Sequence, residues 1–262
     1  MSQKTALFAA LFVIALVYAG ANIFQQEKYA LIENSLYPTD IFFVVIPPIV
    51  IAFAAILVVR HGRTGSHSKA WILFLAGTIV WYAADLTYYY DSEYEAENND
   101  RYTVDFLYYF SYFLYFGFMI FYLKPRKNKI SKKIVLLGTI ISLSFIIPSL
   151  YFVSLKMDTD NDETAINLLY PFLDSMVFIP AFIALVLFFR GEVNFLWITV
   201  TLGVICMAVA DTTFLIERCY EIFSPSSIAN LFFAWKWILF AFGAYSHIRI
   251  FGATKNGLTR QE

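Results

Sequence analysis

Long apolar stretches and short polar ones alternate down this chain. An apolar run near 20 residues is the length a helix needs to cross a bilayer. The pattern predicts eight such helices, over roughly 5–25, 40–60, 69–90, 103–124, 133–154, 166–190, 194–216 and 228–250. The pieces RHGRTGSHSK, DSEYEAENNDR, KPRKNKISKK and KMDTDNDET separate them, being polar and rich in turn formers. The first run has only Lys4 in front of it and is long enough to span, so it reads as a helix and not as a cleaved leader. Composition agrees. The 262 residues are 60% hydrophobic and only 15% charged, against about 25% charged in a soluble domain. The predicted class is an all-α, polytopic membrane helix bundle.

The separating loops alternate in sign. RHGRTGSHSK, KPRKNKISKK and the C-terminal HIRIFGATKNGLTRQE are basic, whereas DSEYEAENNDR and KMDTDNDET are acidic. Of the 19 basic residues, 14 fall on one side, four on the other, and Lys236 lies within a span. Lysine and arginine mark the cytoplasmic ends of spans. The sequence therefore predicts both termini inside, in the cell membrane, with residues 252–262 as a short cytoplasmic tail. The eleven residues after Phe251 give no room for an output domain. No phosphate-binding glycine loop, Ser-His-Asp order or nucleic-acid motif occurs.

The chain also repeats itself. WILFLAGTIVWYAADLTYYY (71–90) matches WITVTLGVICMAVADTTFLI (197–216) at seven of twenty positions, including Trp71/Trp197, Gly77/Gly203 and Asp85/Asp211. LYPTD (36–40) opens the second span and LYPFLD (169–174) the sixth. Two four-helix repeats follow, 1–127 and 128–251, within a single transmembrane domain. Four spans is an even number, so the halves are parallel and related by an axis along the membrane normal.

Charges within a bilayer are costly and usually face the bundle interior. Here they are Asp85, Asp105, Asp174, Asp211 and Lys236, with Asp40 at a span edge. The predicted orientation puts all of them in the outer half, which implies a polar pocket open to the outside. Tyr88 and Tyr112 are expected among its aromatic walls, the latter flanking the face of Asp105, and Phe232, Phe233 and Phe240 along the face of Lys236. Lys236 needs a partner there, and Asp211 or Asp174 is the expected one. Cys206 and Cys219 lie thirteen residues apart along one predicted helix, about 20 Å and too far for a disulfide. His61, His67 and His247 sit at predicted helix ends or in loops, and no Cys/His spacing suggests zinc. Neither a metal nor a cofactor is predicted.

Two resemblances follow from these motifs. The order YP-x-D, then G-x6-AD-x-x-Y, then D-x-L-Y-x3-Y-x4-G resembles a repeat in the eight-helix sensor regions of prokaryotic signalling proteins. The matching residues are Tyr37, Pro38 and Asp40; Gly77, Ala84, Asp85 and Tyr88; and Asp105, Leu107, Tyr108, Tyr112 and Gly117. The second half carries Tyr170, Pro171, Asp174, Gly203, Ala210 and Asp211, with Phe214 in place of the tyrosine and Asn230 in place of the aspartate. That resemblance implies a sensor or binding module for a small amphiphilic or lipid-like ligand, acting through a membrane or cytoplasmic signalling partner. Asp85, Asp105, Asp174, Asp211, Lys236, Tyr88 and Tyr112 would be its ligand-binding residues. The layout is also similar to lysoplasmalogenase-like membrane proteins, which carry an aspartate in spans three and seven. This alternative implies a lipid hydrolase with Asp85 and Asp211 as catalytic acid and base. Ile46-Pro47-Pro48 stands where that family has lysine-proline, and Tyr112 and Tyr115 where it has a histidine.

Overall fold

The computed structural model describes residues 3–24, 40–62, 64–94, 101–156, 162–188, 194–220, 222–224 and 226–258. These form eight α-helices: α1 (Gln3–Phe24), α2 (Asp40–His61), α3 (Ser66–Tyr94), α4 (Arg101–Leu123), α5 (Lys132–Lys156), α6 (Asp162–Phe188), α7 (Asn194–Cys219) and α8 (Ile228–Leu258). Seven of them, α2 to α8, hold a stretch long and apolar enough to cross a membrane. In α1 the apolar stretch is shorter, Ala9–Ile23. Tyr37 and Pro38 of the YP-x-D motif lie outside the described residues, as does the side chain of Asp40.

Local chemistry sets the helix ends. Gly62 and Gly65 take φ values of 72° and 99° between α2 and α3. Only glycine enters that left-handed region cheaply, and one just past a helix end closes it. Ser131 caps α5 by accepting a hydrogen bond from the Ile134 amide at 3.3 Å. Ser227 caps α8 through the Ala229 amide at 2.9 Å and donates its own hydrogen to Glu217 of α7. Pro47 and Pro48 in α2, Pro148 in α5, and Pro171 and Pro180 in α6 stay within helices, which neighbouring helices allow in a membrane bundle.

Six helices form a closed ring in the order α2, α3, α4, α6, α7, α8, each packed on the next and α8 back on α2. The other two sit outside it and are not equivalently placed. Helix α5 packs on α6 and α7, while α1 packs chiefly on α8. The α1 contact is specific: Asn22 donates to the Ser227 carbonyl at 3.0 Å, and the Trp235 indole to the Ala15 carbonyl at 3.3 Å. Large apolar side chains such as Phe12, Val17, Leu136, Ile140 and Ile147 point outward on α1 and α5, as they would toward lipid.

Aromatic side chains fill the ring. Near one end Trp71 and Trp197 stack at 5.7 Å and 30°, with His247 and Tyr122 against Trp197 at 4.6 and 3.8 Å. His247 is buried there, because α8 continues to Leu258 and puts this residue inside the bundle, not at a helix end. His61 and His67 do stand at helix ends, the last residue of α2 and the second of α3. Further along, Phe240 contacts Phe74 at 4.9 Å and Tyr115 at 5.8 Å. Gly203 lets this layer close, since a Cβ there would lie 2.5 Å from the Phe240 ring. Beyond these rings lies the polar layer.

Candidate functional site

The intramembrane charges gather in one connected layer. From α3, Asp85 accepts a hydrogen bond from Tyr108 of α4 at 2.8 Å, with Trp81 one turn earlier on its own helix. From α7, Asp211 accepts from Tyr112 of α4 at 2.5 Å. The same Tyr112 hydroxyl lies 2.5 Å from Asp174 of α6, whose other oxygen accepts from Thr212 at 3.1 Å. About two turns of α4 from Tyr112, Tyr170 of α6 donates to Asp105 at 2.6 Å. Tyr108 and Tyr112 are four residues apart, so one face of α4 serves three acids on three different helices.

Lys236 of α8 completes the layer. It has no exposed surface, and its amine has no hydrogen-bond partner among the described residues. Rings surround it instead: Trp81 at 3.8 Å, Trp237 at 4.2 Å and Phe233 at 5.4 Å from their centroids. Desolvated cation–π contacts of this kind are worth about 2 kcal/mol. Asp85 and Asp211 are the carboxyls that act on this amine electrostatically. The lysine is therefore held by rings, with its two acids at longer range, and not by a hydrogen-bonded pair with Asp211 or Asp174.

The predicted residues fall into place unequally. Asp85, Asp174, Asp211, Lys236 and Tyr112 meet in the layer, and Asp105 borders it. Tyr88 stands apart, 44% exposed on the outside of α3. Tyr112 reaches α6 and α7, and it is Tyr170 that serves Asp105. Of the three phenylalanines expected along its face, Phe233 approaches the Lys236 amine; Phe232 packs on Trp235, and Phe240 belongs to the next layer. Trp237, Thr212 and Ser142 join the site without being singled out by the sequence pattern. The first two adjoin Lys236 and Asp211 in the chain, which is their one signal; Ser142 has none.

Beside Asp174 there is a small cavity of about 10 Å³, lined by Ser142, Asp174, Ser175, Phe178, Ala208, Val209 and Thr212. Cys206 and Cys219 are both free thiols. Among the described residues, no three His, Cys, Asp or Glu side chains gather as a metal site would require. No family model, curated protein or solved structure matches the chain, so the residues themselves carry the functional argument.

Proposed function

We propose that this chain is an eight-span sensor of the cell membrane, with both termini inside, that binds a small amphiphilic ligand from the outer side. The carrying observation is Lys236: a buried amine with three donors and no acceptor among the described residues. A buried donor without an acceptor costs several kcal/mol unless something meets it. A ligand whose headgroup offers a carbonyl or carboxylate oxygen satisfies that donor. The rings of Trp81, Trp237 and Phe233 suit its apolar body.

Two related halves support the same reading. The matched residues Trp71 and Trp197 touch each other. The packing of α2 on α3, α3 on α4 and α4 on α6 is repeated by α6 on α7, α7 on α8 and α8 on α2. The placement of α1 breaks the pattern, so the repeat is best argued for the inner six helices. A ligand at Lys236 bears on both halves at once, which is how binding would be passed to a membrane or cytoplasmic partner.

The test is direct. The protein is purified into nanodiscs, extracted, and its bound small molecules are compared with the surrounding lipid by mass spectrometry. An acceptor-headed amphiphile should be enriched in the wild type and at least tenfold depleted in Lys236→Met. Identical extracts from both proteins defeat the proposal. The convergence of Asp85 and Asp211 on one amine also favours the second reading, a lipid hydrolase. That reading requires ether-lipid turnover that Asp85→Asn and Asp211→Asn each abolish.

A further inference from the structure

One group in the polar layer is independent of whatever Lys236 binds. The Tyr112 hydroxyl faces two carboxyl oxygens, Oδ1 of Asp174 and Oδ2 of Asp211, both at 2.5 Å. A hydroxyl has one hydrogen to donate. Two hydrogen bonds among three oxygens need two hydrogens, so a carboxyl must supply the second. Two ionised carboxylates against one hydroxyl oxygen in a water-poor interior would also repel each other strongly.

The surroundings decide which acid holds it. Lys236 is among the groups that act on Asp211 and not among those that act on Asp174, which favours the negative charge on Asp211. Asp174 is 3% exposed, with Tyr112 and Thr212 as its hydrogen-bond partners. The arrangement is Asp174 Oδ1–H to Tyr112 Oη, and Tyr112 Oη–H to Asp211 Oδ2. One concerted shift moves the hydroxyl hydrogen to Asp211 and the carboxyl hydrogen to Tyr112. Asp174 becomes the anion and Asp211 the neutral acid, with the total charge unchanged. The other titratable groups around the pair are Asp85 on α3, Tyr108 and Asp105 on α4, Tyr170 on α6 and Lys236 on α8.

The cavity on the far side of Asp174 adds an independent observation. Ser142 of α5 lines it, is 2% exposed, and its hydroxyl has no hydrogen-bond partner among the described residues. A space this small takes one water, provided two to four polar groups hold it. Asp174, Ser142, Ser175 and Thr212 are those groups. We propose that the junction of α4, α6 and α7 is a proton-binding site. Asp174 and Asp211 hold one proton in common through Tyr112, and a water in the Ser142 cavity completes the bonding of Asp174.

Infrared spectroscopy of the whole protein in lipid vesicles, in H2O and in D2O, tests this. A protonated-carboxyl stretch sensitive to deuterium should be present at neutral pH. It should vanish in Asp174→Asn and shift in Tyr112→Phe, where the bridging oxygen is gone. Ser142→Ala should keep that band and lose one weakly bonded water O–H band. A folded wild type without a protonated-carboxyl band overturns the site, as does a band of full intensity in Asp174→Asn. If Asp174→Asn does not fold, Tyr112→Phe decides, since both carboxyls remain: an unshifted band in that variant sinks the shared proton. An unchanged water band in Ser142→Ala sinks the water.

Discussion

The ammonium nitrogen of Lys236 lies 3.8 Å from the centroid of the Trp81 ring. Trp81 is packed one turn from Asp85 on the same helix, and its ring face joins α8 to α3.

This link predicts a coupling between Lys236 and Asp85. Removing the cation leaves the carboxylates of half-buried Asp85 and buried Asp211 with less compensation, and breaking a buried charge pair costs about 3–5 kcal/mol. Lys236→Met should lower stability by about 3 kcal/mol, and adding Asp85→Asn should restore part of that loss. Denaturation of the four proteins in detergent gives the cycle. Strictly additive effects would show that the lysine and the aspartate act independently.

The two tyrosines of α4 should differ. Tyr112 bridges two acids, whereas Tyr108 serves one. A buried donor or acceptor left unmet costs about 1–3 kcal/mol. Tyr112→Phe should therefore destabilise by roughly twice as much as Tyr108→Phe, read as the drop in unfolding free energy. Equal losses would mean that one of the two Tyr112 bonds carries no weight.

The matched glycines make an internal control. A methyl on Gly203 meets the Phe240 ring at 2.5 Å, while one on Gly77 meets Leu114 at 3.3 Å. Overpacking of a tight core costs about 1–3 kcal/mol. Gly203→Ala should fall in that range and Gly77→Ala near or below its lower end, by thermal unfolding in nanodiscs. The reverse order would contradict the packing described between α7 and α8.

Orientation has its own test. With Cys206 and Cys219 replaced, a cysteine at Asn128 should react with an impermeant reagent only from the cytoplasmic face. One at Ser224 should react only from outside. The opposite result would invert the bundle and put the polar layer in the inner half.

The apolar pattern foretold all eight helices, because length and hydropathy act locally on each segment. It also singled out the acids and the lysine, since a charge among apolar residues stands out in any register. The partners were less legible. Asp105 and Tyr112 share a face of α4, being seven residues apart, but the sequence does not say which helix that face meets. The hydroxyl reaches Asp174 and Asp211, which come from segments 62 and 99 residues further along the chain. The site of α1 was hidden for a similar reason. Its choice of α8 rests on Asn22 and Trp235 meeting backbone carbonyls more than 200 residues distant, contacts that no periodicity encodes. Ser142 carries no charge, and only the cavity beside Asp174 marks it out.

The stacked tryptophans at the other end have an optical consequence. Indoles 5.7 Å apart and inclined by 30° couple their electronic transitions, and that coupling decays steeply with separation. Trp71 begins one matched stretch and Trp197 the other, so the near-ultraviolet circular dichroism of this pair is a built-in gauge of the gap between α3 and α7. Any movement of one helix against the other would be visible as a change in that signal, without a label and without knowledge of the ligand.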